Sequence, residues 1–216
     1  FPEVIRPALS DRKGWATFVG TPAGHNAFFD LLMSESQYLQ EFECSFNANV
    51  PGAIYGKELE TAQAEGRICN VPYDPAHKVD TFFDLGIGDS TSVWFTQTVG
   101  RAIHVIDFYE ARNEGLPHYC KMLTDRRYVY GDHHAPHDIE VRELGSGKSR
   151  REVAWDLGLN FRVVPKLPLE DGIHAAQMLI PRCYFDRERT KDGLEALRQY
   201  HRAYNERTRS FRASPV

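Results

Sequence analysis

The sequence predicts an α/β fold: three antiparallel strands, then parallel αβ units, forming one mixed β-sheet flanked by helices. Three observations carry this. Apolar, β-rich runs between Thr81 and Tyr109 follow one another with only turns between them. Beyond Gly115, runs with helical spacing alternate with short strands. A chain of 216 residues, 42% hydrophobic and 26% charged, buries a core without disulfide staples.

The elements follow in order. Trp15–Gly20 is apolar and β-rich, a short buried strand that Thr21-Pro22-Ala23-Gly24 breaks. Asn26–Leu39 has helical spacing, with Phe28, Leu31, Leu32 and Tyr38 on one side, and Glu41–Phe46 alternates like a strand. Asn47–Gly56 is rich in turn formers and leads into a short helix over Tyr55–Gly66. A new unit opens near Pro72, with strands at Thr81–Gly86, Thr91–Val99 and Ala102–Tyr109. A helix over Gly115–Arg126 precedes a fourth strand beginning at Tyr128–Tyr130, and a helix over Arg150–Leu157 precedes a fifth at Asn160–Val164. Asp171–Leu179 and Lys191–Tyr204 close the pattern as helices. Because the fourth strand follows a crossover helix, it can lie parallel to the first.

Charge and cysteine usage narrow the class. Net charge is −4, so a polyanionic partner has to be met by a local basic surface. Cys44, Cys69, Cys120 and Cys183 are scattered and form no CxxC, which predicts free thiols in a reducing compartment. No signal peptide opens the sequence and no apolar run approaches a membrane span, so cytoplasm is expected, with no membrane partner. Phe1–Pro7 reads like mid-protein sequence and Ser214-Pro215-Val216 ends without a tail, which predicts a fragment of a longer protein.

The chemistry concentrates in two acidic sites. Asp84 sits in the otherwise apolar run Phe82-Phe83-Asp84-Leu85-Gly86, where a charge is costly unless paired or bound to metal. Gly86 and Gly88 leave room beside it for a large anion. Read alone, Asp84 fits a strand-end turn cap equally well. The second site is the run Gly131–Glu140 (GDHHAPHDIE), read as a loop after the fourth strand, where Asp132 and Asp138 compete. Carboxylates from adjacent strand ends can hold divalent metal against a phosphate, although such acids also fit a solvated turn. His133, His134 and His137 match no zinc spacing and read better as ordinary loop histidines, some of them touching phosphate. Asp107 reads better as a solvent-side strand residue than as a third acid.

Gly145-Ser146-Gly147-Lys148-Ser149 imitates the end of a nucleotide-binding loop, but Arg142 occupies the position of its first glycine and no apolar strand feeds it. Arg142, Lys148, Arg150 and Arg151 instead form a local basic cluster, suited either to phosphate contact or to a solvated helix start. The arginines beyond Arg182 mostly alternate with acids, as on a solvated helical face.

Three stretches resemble the large terminase subunits of tailed phages. Phe18-Val19-Gly20-Thr21-Pro22-Ala23-Gly24-His25-Asn26 resembles the segment that closes the family's ATPase domain. Phe83-Asp84-Leu85-Gly86, with Asp89 and Thr91, resembles the first nuclease strand and its metal-binding aspartate. Ala135-Pro136-His137-Asp138 through Arg142-Glu143-Leu144-Gly145-Ser146-Gly147-Lys148 resembles the second nuclease segment. The aspartate after Pro-His matches the second metal ligand, which favours Asp138 over Asp132, and Asp132 stays a further candidate ligand.

The resemblance implies a ribonuclease H-like fold with Mg²⁺ or Mn²⁺ at Asp84 and Asp138. It implies endonucleolytic cleavage of concatemeric double-stranded viral DNA, in the host cytoplasm, as packaging starts and stops. Residues 142, 148, 150 and 151 (Arg142, Lys148, Arg150, Arg151) and His137 are then the expected DNA contacts. The portal protein and the small terminase subunit are expected partners of the parent protein. Residues 1–50 correspond to the end of the motor domain, 51–71 to a linker and helix, and 72–216 to the nuclease domain without its C-terminal end. The family's nucleotide-binding loop and catalytic glutamate lie upstream, so ATP hydrolysis is not expected here. Its third metal-binding aspartate follows in a His-Asp…Ser-His…Ala-Asp stretch, which this sequence does not reach. Two rivals remain. One is another nuclease on the same fold, such as a junction resolvase, which the Thr21–Gly24 segment argues against. The other is a non-catalytic module docking DNA or the portal ring, which the missing third acid favours.

Overall fold

A computed structural model describes residues 52–86, 90–142, 147–205 and 210–215. The expected elements between Trp15 and Phe46, the motor-like segment Phe18–Asn26, Asp89 and Glu143–Ser146 lie outside the described residues. The chain divides into two compact units, Ile54–Tyr200 and Phe1–Ala53 with His201–Val216.

The larger unit runs α1 (Gly56–Ala64), β1 (Ile68–Cys69), β2 (Val79–Asp84), β3 (Ser90–Val99), β4 (Ala102–Arg112), α2 (Leu116–Arg126), β5 (Tyr130–Ala135), a 3₁₀ turn (His137–Glu140), α3 (Arg150–Asp156), β6 (Phe161–Val163), α4 (Leu169–Leu179), β7 (Cys183–Asp186) and α5 (Lys191–Gln199). Its seven strands form one sheet in the order β1-β7-β4-β3-β2-β5-β6. β2, β3 and β4 are antiparallel neighbours, as the sequence predicts. β5 lies parallel to β2 and β6 parallel to β5, so three carboxyl ends emerge side by side. In the other unit, β8 (Arg202–Asn205) pairs antiparallel with β9 (Ser210–Pro215).

Successive strand residues point to opposite faces of the sheet, and helices pack on each face. In β2, Val79, Thr81 and Phe83 are buried while Asp80, Phe82 and Asp84 point the other way. The first face carries Val79, Phe83, Val93, Phe95 and Ile106, packed under Tyr119, Met122 and Leu123 of α2 and Ala154 of α3. The second carries Val105, Cys183 and Phe185 beneath Leu59 of α1, Ile173 of α4 and Leu194 of α5.

Several expectations change. The fourth strand extends to Ala135, so Gly131–His134 are strand residues rather than a loop. β1 and β7 are not anticipated in sequence because two and four residues carry no readable period. The segment expected as a linker therefore supplies an edge strand, and α1 buries Leu59 and Ala62 in the core. The last helix stops at Gln199, because Tyr200 turns extended, stacks on Tyr55 at 5.8 Å and accepts a bond from Ile54 N–H. Arg202–Tyr204 are strand, not helix.

Asp107 is not on the solvent side. Pairing between β3 and β4 shifts at Phe95/Thr96, which turns both Ile106 and Asp107 inward. Arg126 Nε on α2 donates to Asp107 Oδ2 at 2.7 Å, and the guanidinium lies 4.8 Å from the Phe95 ring centre. Asp107 is thus a structural ion pair.

Candidate active site

Asp84 and Asp138 meet at the carboxyl end of the central parallel strands. Asp84 is the last residue of β2. Beside it, β5 ends at Ala135, and Pro136 directs the chain into the 3₁₀ turn. Ile139 in that turn is fully buried and anchors it to the α2-side core, which fixes the neighbouring Asp138. Ligand sites in open α/β sheets form at such carboxyl ends.

The electrostatics match a cation site. Asp84 is exposed toward a cleft but crowded by protein on its other sides. That burial pushes its carboxyl above the usual carboxylate range, and the charge of Asp138 pushes it further. Asp138 Oδ1 is buried and meets no hydrogen-bond donor among the described residues. A carboxylate oxygen deprived of donors and set beside a second carboxylate has the chemistry of a divalent-metal ligand. Both acids offer hard oxygen donors suited to Mg²⁺ or Mn²⁺, so the residues present fit such an ion. Among the described residues no group of three or more His, Cys, Asp or Glu gathers into one metal cluster.

Asp132 stands elsewhere. β5 carries an extra residue between its pairings Val79↔Tyr130 and Thr81↔His133, which sets Asp132 level with Asp80. Asp80 Oδ1 accepts from Asp132 N–H at 2.8 Å, and the Asp132 carboxylate pairs with Arg162 at 3.0 Å. Four strand residues, about 13 Å, separate that level from Asp84. The structure thus brings Asp138 to Asp84 and leaves Asp132 in a different pair.

The histidines divide by strand parity. His133 turns to the Thr81 side, with Nδ1 2.7 Å from Thr81 Oγ1, and burial holds its pKa down. His134 turns to the other face and stacks on Phe82 with ring centres 4.7 Å apart. His137 is exposed on the 3₁₀ turn. This separation is why the three do not form one zinc set.

Several of the expected basic residues have partners within the fold. Arg142 and Ser149 form an isolated antiparallel bridge. Ser149 caps α3, accepting from Glu152 N–H while Glu152 accepts from Ser149 N–H. The described element before α3 is the 3₁₀ turn His137–Glu140. Lys148 donates to Asp156 at 2.6 Å and Arg151 to Glu140 at 2.9 Å. Arg150 stands at the first position of α3.

Asp84 opens onto a cleft of about 390 Å³ lined by Phe82, His134, Pro136, His137, Pro165 and Lys166. Lys166 and the Phe82–His134 stack are site features that sequence reasoning missed. The signal for Lys166 was a Pro-Lys-Leu-Pro run directly after the fifth strand.

No family profile matches the sequence, and no curated protein matches it at sequence level. Solved structures do match. A large terminase from a thermophilic bacteriophage aligns with a TM-score of 0.57 and 12% identity, covering 76% of this chain and 41% of that one. The nuclease domain of the P22 large terminase aligns with a TM-score of 0.51 and 15% identity, covering 69% of this chain and 81% of that domain. The chain has the fold of a large terminase nuclease domain. A third match, the large terminase nuclease of thermophilic phage G20c with bound magnesium, gives a TM-score of 0.50 and 16% identity over 76% of this chain and 89% of that one. The ribonuclease H-like, mixed-sheet fold expected from the sequence is therefore the observed one. The chain spans less than half the length of the first of these terminases, and these identities show the fold alone. Among the described residues no helix is long and apolar enough to cross a membrane.

Proposed function

We propose that this chain is the nuclease part of a phage DNA-packaging terminase, a divalent-metal-dependent endonuclease that cuts concatemeric double-stranded viral DNA. The observation that carries this reading is the pairing of Asp84 with Asp138, whose buried oxygen meets no donor among the described residues, on the fold of a terminase nuclease. Asp84 and Asp138 would hold Mg²⁺ or Mn²⁺, which would supply positive charge to activate a water and stabilise a leaving oxygen at phosphorus. Their rigid strand-end setting fixes where the phosphodiester is presented. Arg142, Lys148, Arg150, Arg151 and His137 line the path of the DNA backbone. Lys148 and Arg151 exchange their present carboxylate partners for phosphate on binding. Such contacts orient the duplex without reading bases, so little sequence preference is expected.

The parent protein's partners on this reading are double-stranded DNA, the portal protein and the small terminase subunit, in the host cytoplasm. The test is cleavage of supercoiled plasmid with Mn²⁺, Mg²⁺ or EDTA, alongside Asp84→Asn. Metal-dependent cutting lost in the variant supports the reading. Specific DNA binding without cutting in any metal favours a non-catalytic docking module.

A further inference from the structure

Three parallel strand ends meet at the candidate site, and the proposed chemistry uses only two. β2 ends on Asp84, β5 leads to Asp138, and β6, paired with β5 through Val163↔Ala135, leads to Val164-Pro165-Lys166. Lys166 therefore emerges at the same edge as the two acids, and it lines the same cleft as Asp84 and His137.

Two features mark this lysine off from the predicted basic cluster. First, it makes no ion pair or hydrogen bond among the described residues, whereas Lys148 and Arg151 are already paired with carboxylates. Second, its backbone is constrained. Pro165 precedes it, and Pro168 follows two residues later as the cap of α4. Proline fixes its own φ and restricts the residue before it, so Val164 and Leu167 are held extended and less entropy is lost on binding. The cleft wall beside it is apolar, with Phe82, Pro136, Val164 and Leu167, which strengthens a charge interaction there relative to open water.

We propose, resting on the nuclease reading above, that Lys166 is a substrate-binding residue that grips a backbone phosphate of the cut strand beside the Asp84–Asp138 pair. Its ammonium donates to a non-bridging phosphate oxygen and sets the strand in the cleft before cleavage.

The experiment uses the full chain, with Lys166→Ala and Lys166→Arg, and a short DNA duplex as the probe. Duplex binding is measured in EDTA across a salt series, so that no cutting intervenes, and cleavage kinetics are measured with Mn²⁺. Loss of one phosphate contact lowers the slope of log K against log salt by about 0.9. Lys166→Ala is expected to show that change, about tenfold weaker binding and a raised KM with kcat nearly unchanged. Lys166→Arg, which keeps the charge, restores the wild-type salt slope. An unchanged slope and KM in Lys166→Ala overturns the proposal while leaving a cleaving wild type as a nuclease. Absence of cutting by the wild type in any metal overturns the nuclease reading instead, and the EDTA salt slope still decides the role of Lys166.

Discussion

Asp138 holds one carboxylate oxygen buried with no donor among the described residues, and its charge adds to the burial that already raises the pKa of Asp84. Two acids in that state repel each other until a cation or a proton joins them. Asp84→Asn and Asp138→Asn should therefore each reduce plasmid cleavage by at least about 100-fold, as expected when a positioned electrostatic group is lost. Circular dichroism of both variants should match the parent.

The same repulsion predicts a stability change that needs no activity assay. Without metal, Asp84→Asn should melt higher than the parent at neutral pH. The parent should gain from metal what the variant cannot. Mn²⁺ at 100 times its Kd stabilises by about 2.7 kcal/mol, or roughly 5–10 °C in Tm for a domain of this size. Equal metal-induced shifts in parent and variant would remove Asp84 from the ligand set.

Asp107 separates structure from chemistry. Its pair with Arg126 is largely shielded from water, and Arg126 also covers the Phe95 and Tyr109 rings. Removing one partner of a buried pair costs about 3–5 kcal/mol, and the partial exposure of Arg126 and Asp107 lowers that cost here. Asp107→Ala should lower the urea midpoint accordingly and leave metal affinity unchanged. The double variant Asp107→Ala/Arg126→Ala should be less destabilised than the sum of the two single changes.

Gly193 lies where α5 packs closely on the sheet. An added Cβ there would lie 2.5 Å from Trp94 and 2.7 Å from Phe108. Alanine gains about 1 kcal/mol in helix propensity, but overpacking costs about 1–3 kcal/mol and usually more where two rings are fixed. Gly193→Ala should lower Tm by a few degrees, and a rise would show that the rings yield.

His133 sets an acid limit. Burial lowers its folded pKa below the ordinary 6.5. The unfolded chain then binds a proton at higher pH than the folded one. Stability is full above 6.5 and falls as pH drops from there toward the folded value. His133→Gln should flatten chemical-denaturation midpoints across that window. A parent with no slope there would show that the ring is solvated.

Much of this was legible in the sequence. The runs at Thr81–Gly86, Thr91–Val99 and Ala102–Tyr109 have clear β character, and each became a strand. Asp84 stood out because an acid in an apolar strand demands a partner. The Pro-His-Asp match, a resemblance rather than a physical derivation, singled out Asp138. Asp107 misled because alternation assumes a regular strand, and the bulge opposite Phe95 reverses its face. β1 and β7 escaped because pairing, not local pattern, makes strands that short.

By itself, the sequence determined the three central antiparallel strands, the αβ units that follow them and one acid out of place in an apolar strand, since these follow from local periodicity and local cost. The resemblance favoured Asp138, and the tertiary structure supplies the physical setting, with Asp138 close enough to Asp84 for its charge to act on it. A single extra residue in β5 sets Asp132 level with Asp80, where it pairs with Arg162, while Asp138 lies in the 3₁₀ turn beyond the strand end. The tertiary structure also brought Lys166, 82 residues further along, to the same edge, because parallel strands align their carboxyl ends whatever the chain length between them.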